Sequence, residues 1–166
     1  MAELNPEELV DQGKEILDFA VSGGGGAFRG DGLEAKKYYI QAKEYFEKAC
    51  NLNYAKGCVS LGGLYEGENL VIGEDPRLKE RLKKAIQYYS KACGLNDQHG
   101  CLILGAMQYI GKGVVKNEKQ AMEKFEKACK LGKQEACEIF SLEVLCESSD
   151  QKACGMSYDK KKALSF

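Results

Sequence analysis

The sequence predicts an all-α protein assembled from repeated helix pairs, and three regularities predict it. Lys-Ala-Cys recurs at residues 48–50, 91–93 and 127–129, and each copy is followed eight positions later by a second cysteine, Cys58, Cys101 or Cys137. The intervals are those of a helical repeat: Cys93 to Cys129 and Cys101 to Cys137 both span 36 residues, and Cys50 to Cys93 spans 43, the same period carrying an insertion of seven. Ahead of each first cysteine, small and aromatic residues fall at i, i+4 and i+7, as Ala42/Phe46/Ala49, Ala85/Tyr89/Ala92 and Ala121/Phe125/Ala128. That spacing lays one apolar stripe along a helix.

Each element can be justified in chain order. The first helix starts where Asn5 precedes Pro6-Glu7-Glu8, a capping residue followed by residues suited to a first turn. Its Gly13 aligns with Gly62 and Gly105, positions at which glycine lets a neighbouring helix come close. SGGGGAFRGDG, residues 22–32, lengthens the path to the second helix and reads as a flexible loop. That second helix ends at Cys50, and the next begins at Cys58 and runs through VSLGGLY to Glu66. A more apolar insertion, residues 68–76, ends on a start signal at Asp75-Pro76. The third unit begins at Cys101 with LILGAMQYI, and Asn117-Glu-Lys-Gln120, a capping-box variant, opens its second helix. Cys146 and Cys154 keep the eight-residue spacing without Lys-Ala-Cys, and the tail KKKALSF resembles the opening LKKAIQYY (82–89) of a second helix cut short. This end reads as either a cap or a truncation. The expectation is one domain over 1–166, with repeats at about 5–50, 58–93, 101–129 and 137–166.

Composition narrows the function. A net charge of −1 with acids and bases intermixed lacks the basic field of a nucleic-acid binder. No apolar run approaches a membrane span, and MAELNPEELV has neither the basic start nor the apolar middle of a secretory signal. Eight cysteines point instead to an oxidising compartment, so Met1 is expected to follow an export signal already removed. A reducing cytosol with eight free thiols is the alternative. Each C-x7-C joins a helix end to the next helix start across a short turn such as Gly94–Gly100, a geometry that a disulfide fits. Zinc is disfavoured, because four-ligand sites usually pair cysteines two to four apart and His99 is the sole histidine. His99 reads as a solvated turn residue, and Lys48, Lys91 and Lys127 as last-turn cations facing the helix dipole. No metal or cofactor is expected.

The Lys-Ala-Cys-x-Leu turns, Gly-Cys-x-x-Leu-Gly-x-x-Tyr (57–65) and Gly111-Lys-Gly-Val-Val-Lys-Asn117 resemble Sel-like repeats of the tetratricopeptide superfamily. With its C-x7-C staple the chain is similar to the Helicobacter cysteine-rich proteins, most closely in YYSKACGLNDQHGCLILG and YIGKGVVKNEKQAMEKFEKAC, and over about residues 34–140. The resemblance implies a right-handed α/α solenoid of helix pairs stapled by disulfides Cys50–Cys58, Cys93–Cys101, Cys129–Cys137 and Cys146–Cys154, in a secreted or periplasmic protein. It also implies penicillin binding with weak β-lactamase activity. The residues give that activity no site of their own. Ser-Asp-Asn and Lys-Thr-Gly elements are absent, and Ser149-Asp-Gln-Lys152 and Ser157-Tyr-Asp-Lys160 are matches to Ser-x-x-Lys of which chance supplies about one. A zinc lactamase is incompatible with a single histidine.

The leading function is therefore an interaction protein whose first helices line a concave surface. Alignment with tetratricopeptide grooves assigns to it Val10, Lys14 and Leu17, then Val59, Gly63 and Glu66, then Leu102, Ala106, Tyr109 and Ile110. Some of these apolar residues would be core between repeats; Lys14 and Tyr109, charged or amphipathic, are the sharper candidates. The expected partner is a protein, a peptide or a cell-wall-derived ligand held by a monomer, with slow β-lactam hydrolysis as the alternative. A third reading rests on Arg29-Gly30-Asp31, an integrin-type tripeptide whose Asp would complete the coordination of a divalent cation while its Arg pairs with acidic groups.

Overall fold

A computed structural model describes residues 3–22, 33–67 and 77–164. Among them are eight α-helices and no strand: α1 (Pro6–Ser22), α2 (Leu33–Asn51), α3 (Ala55–Gly67), α4 (Leu78–Gly94), α5 (Gln98–Ile110), α6 (Glu118–Lys130), α7 (Gln134–Glu147) and α8 (Gln151–Ala163). They fall into two compact units, Met1–Tyr88 and Tyr89–Phe166. The tripeptide Arg29-Gly30-Asp31 and the rest of its insertion, the insertion at 68–76 and the start signal at Asp75 lie outside the described residues.

In the first unit α1 packs on α2, and both pack on α3. The capping box that opens α1 is complete: Glu8 N donates to Asn5 Oδ1 and Asn5 N donates to Glu8 Oε2, each at 2.9 Å. The stripe Ala42/Phe46/Ala49 is wholly buried. A glycine in mid-helix costs about 1 kcal/mol relative to alanine, and Gly13 recovers this through packing. A Cβ there would lie 2.5 Å from Phe46 Cε1, so the ring sits directly on the α1 backbone. The second unit repeats the device, with Phe125 of α6 against Gly105 of α5.

In the second unit α5 packs on α6, α6 on α7, α7 on α8, and α8 returns to α5. Asp97, Asn117 and Asp150 cap α5, α6 and α8 by accepting from Gly100 N, Gln120 N and Ala153 N at 2.7, 3.0 and 3.1 Å. α8 corrects the expectation for the tail. The helix begins at Gln151, so KKKALSF holds the end of a helix and not the opening of one.

All four stapled junctions share one backbone design. The residue three beyond the first cysteine is left-handed, namely Asn53, Asn96, Gly132 and Ser149. Its N–H bonds to the carbonyl of that cysteine at 2.9–3.0 Å, and the next N–H bonds to the carbonyl of the residue before the cysteine at 2.9–3.2 Å. This double bond pattern is the Schellman motif. It reverses the chain in three residues, so α3, α5 and α7 start at Ala55, Gln98 and Gln134, ahead of the second cysteine at which the sequence pattern placed them. Asp97 and Asp150 close one helix and cap the next. The fourth junction differs in context: it joins α7, whose own start carries Cys137, to α8, and therefore lacks the Lys-Ala-Cys stripe.

Candidate functional site

The four disulfides are Cys50–Cys58, Cys93–Cys101, Cys129–Cys137 and Cys146–Cys154, with Cα–Cα separations of 4.5–4.6 Å. At the first two junctions the second helix enters through a glycine, while Ala136 and Ala153 hold that position at the other two. A Cβ on Gly57 or Gly100 would meet the Cβ of Ala49 at 2.6 Å or of Ala92 at 2.7 Å. Among the described residues, no three His, Cys, Asp or Glu side chains gather as metal ligands. His99 lies in the first turn of α5, exposed, rather than in the turn. Desolvation and the charge of Lys133 lower its pKa against the opposing pull of Asp97 and Glu135.

In the first unit the groove candidates separate into surface and core. Lys14 and Gly63 are exposed, and Leu17, Val59 and Glu66 are partly exposed on α1 and α3, which pack against each other. Val10 is withdrawn from the candidate set, because it turns inward with Leu9 and Gly13 and is buried. The sequence reading missed an aromatic cluster nearby. Tyr65 of α3 stacks on Tyr88 of α4 at 5.5 Å, with Lys43 Nζ at 5.0 Å and Lys84 Nζ at 5.4 Å from the Tyr65 ring centre. Burial and the neighbouring Tyr65 and Glu47 raise the Tyr88 pKa, while Lys43 opposes the rise. Tyr65 closes the Gly-Cys-x-x-Leu-Gly-x-x-Tyr motif, which was the available signal.

In the second unit Leu102 and Ala106 are core and are likewise withdrawn as ligand contacts. They share a face of α5 with Cys101 and Gly105, also buried. Ile110 is exposed, whereas Tyr109 is buried beneath α8. Lys161 Nζ stands 4.1 Å from the Tyr109 ring centre, Lys116 Nζ at 5.6 Å, and Tyr158 meets the ring edge-on at 6.4 Å. Beside this stack, Lys161 Nζ and Ser157 Oγ both donate to Glu143 Oε2, at 2.7 and 2.6 Å. Burial alone would raise the Glu143 pKa, but the hydrogen bonds from Lys161 and Ser157 and the Lys161 charge outweigh it and hold the carboxyl below its usual range. Desolvation, Glu118, Glu143 and Tyr158 raise the Tyr109 pKa.

This arrangement bears on the Ser-x-x-Lys matches. Ser157 is 1% exposed and its hydroxyl donates a hydrogen bond to the Glu143 carboxylate. The lysine of its motif, Lys160, pairs instead with Glu138 at 2.7 Å. Ser149 occupies a left-handed turn rather than a helix. Neither match assembles a serine with a neighbouring lysine base.

A cavity of about 380 Å³ opens between the C-terminal end of α4 and helices α5 and α6. Its walls include Ser90 and Cys93, then Leu104 and Gln108, then Gln120, Glu123, Lys124 and Lys127. Lys127 Nζ donates to Cys93 O at 2.8 Å. The cation of this Lys-Ala-Cys copy thus serves the C-terminus of α4 and not only that of its own helix.

The Sel1 repeat family matches residues 23–54, 56–97 and 98–133. HcpC of Helicobacter pylori, whose name assigns it provisionally to the β-lactamases, is 41% identical over 69 residues, covering 39% of this chain and 17% of that protein. This chain therefore corresponds to a small part of that relative's length. The structure of cysteine rich protein B of Helicobacter pylori is 41% identical with a TM-score of 0.53, over 81% of this chain and 96% of that one. c5321, a protective antigen of uropathogenic Escherichia coli with an SLR fold, aligns at a TM-score of 0.56 and 20% identity, over 99% of this chain and 34% of that one, and speaks to the fold alone. Repeat matches over most of the chain, the stapled helix pairs and the likeness to cysteine rich protein B agree, and this chain belongs to the Sel1 repeat family.

Proposed function

We propose that this protein is a binding module of an oxidising compartment, secreted or periplasmic, that holds a protein or peptide on the face formed by α1 and α3. The observation that carries the reading is the accessibility of Lys14, Leu17, Val59, Gly63 and Glu66 on two adjacent helices that also supply Val10, Cys58 and Leu61 to the core. The face combines a cation, apolar side chains, a carboxylate and, at Gly63, bare backbone that a ligand chain can approach closely. Four disulfides support the compartment, and no described helix is long and apolar enough to cross a membrane. The test is selection of a peptide library against the oxidised protein, followed by affinity measurement with Lys14→Glu and Gly63→Arg. Both variants should lose affinity by tenfold or more, about 1.4 kcal/mol, with unchanged thermal stability. Equal affinity in both would move the site off this face.

β-Lactam hydrolysis has weaker support, since Ser157 is buried against Glu143 and Ser149 lies in a turn. Any nitrocefin turnover by the oxidised protein should be slow and should persist in Ser149→Ala and Ser157→Ala. Its abolition by either change, with the fold intact, would establish the hydrolase reading.

A further inference from the structure

We infer that α8 is a releasable cover on α5, held closed by the Cys146–Cys154 disulfide, and that a dithiol reductant opens it and bares Tyr109.

α8 is docked by polar groups. Its buried residues are Ala153, Ser157 and Lys161, four apart along one face, while Met156 and Tyr158, its large apolar side chains, are 45% and 50% exposed. The helix is attached by Lys161 and Ser157 to Glu143, by Lys160 to Glu138, and by Lys161 and Tyr158 to the Tyr109 ring. An element that buries so little apolar surface sits at the low end of local stability.

The other stapled junctions have a core of their own. Ala42/Phe46/Ala49, Ala85/Tyr89/Ala92 and Ala121/Phe125/Ala128 precede their cysteines, and none of these residues is more than 1% exposed. Their counterparts ahead of Cys146 are Glu138, Leu142 and Leu145, each partly or fully exposed. The turn is also less favourable, since Ser149 holds φ at +76° where the other three junctions use Asn or Gly. Three junctions are held by packing and a disulfide, and the fourth mainly by its disulfide.

Access follows the same division. Cys50, Cys58, Cys93 and Cys101 are at most 3% exposed, whereas Cys146 and Cys154 are partly exposed. Exchange requires a thiolate to reach a sulfur, so a reductant meets the fourth staple before the first two. Cys129 and Cys137 are partly exposed as well, but opening that pair leaves α6 anchored by its buried stripe. In the exchange, one thiolate of the dithiol attacks a sulfur of Cys146–Cys154 and the other cysteine leaves as a thiolate. The second thiol of the reductant then resolves the mixed disulfide. The two cysteines gain two electrons and two protons and end as thiols, and the reductant ends as its cyclic disulfide.

Aligning Cys58 with Cys101 places Tyr109 at the position of Glu66. Glu66 is partly exposed on α3, whereas Tyr109 is 9% exposed beneath α8. Release would therefore return to solvent, in the second unit, a position that the first leaves open. Its use by a ligand rests on the α1–α3 reading; the release itself does not, and it is measured without a ligand.

The experiment begins with graded dithiothreitol on the native protein, followed by iodoacetamide and peptide mapping. Cys146 and Cys154 should become alkylated at about tenfold less reductant than any other pair requires. In Cys146→Ser/Cys154→Ser, which keeps three staples, α8 amides should exchange about thirtyfold faster or more while α5 and α6 keep their protection. N-acetylimidazole should modify Tyr109 in this variant and not in the parent, with the exposed Tyr158 reacting in both. Cys129→Ser/Cys137→Ser should leave Tyr109 unreactive. Earlier opening of another staple, an unreactive Tyr109 in the Cys146/Cys154 variant, or loss of protection that spreads to α5 and α6 would each overturn the assignment.

Discussion

Replacing Lys161 by methionine should destabilise the second unit by about 2–3 kcal/mol. Methionine keeps most of the aliphatic stem and its packing against Tyr109, so the change removes the charge and its donors. Lys161 is 3% exposed, and its Nζ lies 2.7 Å from Glu143 Oε2. Without it, Glu143 keeps only the Ser157 hydroxyl. Removing one partner of a buried ion pair costs about 3–5 kcal/mol. The Glu143 side chain is 24% exposed, and water on that side lowers the expected cost to about 2–3 kcal/mol. Urea unfolding near pH 7 with disulfides intact reads the loss, and Lys161→Met/Glu143→Gln should recover much of it, because no unpaired charge remains. The sign with pH is set by Glu143: its folded pKa lies below the ordinary 4.5, so the unfolded chain takes up more protons as pH falls below that value. The stabilisation is complete at neutral pH and is lost as the pH falls through the folded pKa, and Lys161→Met should abolish this acid sensitivity. A loss below about 0.5 kcal/mol, or a double variant no more stable than the single, would refute the reasoning.

Three further outcomes follow from the same geometry. Cys93→Ala/Cys101→Ala should cost about 2–3 kcal/mol in urea unfolding, the closure entropy of an eight-residue separation, and an unchanged midpoint would contradict the staple. Gly13→Ala should cost about 1–3 kcal/mol, because the new Cβ would lie 2.5 Å from Phe46 and the ring must move, whereas the same change at the open Gly155 should not destabilise by overpacking. Ser149→Gly should raise stability by about 0.5–1 kcal/mol, since Ser149 holds φ at +76° where glycine carries no Cβ penalty; a loss of stability would mean that the hydroxyl matters more than the backbone.

The repeat, its helix stripes and the staples were legible because they are local and periodic: Ala42/Phe46/Ala49 needs only one helix to be read. The caps at Asn5 and Asn117 were legible for the same reason. The turns were harder. Asn53, Asn96, Gly132 and Ser149 perform one backbone task with three residue types, so no single letter marks it. Groove and core were confused at Val10, Leu102 and Ala106, because one residue along a helix rotates a side chain by about 100°. Tyr109 was recognised as amphipathic, but its cover comes from Lys161 and Tyr158, some fifty positions away on a helix whose return to α5 has no sequence signature.

The binding face is tested most directly by amide hydrogen exchange on the oxidised protein with and without a selected peptide. The account predicts added protection along α1 and α3, concentrated near Lys14, Leu17, Val59 and Gly63, with α2 and α6 unchanged. Protection confined to α2 or α6, with α1 and α3 exchanging as in the free protein, would contradict it.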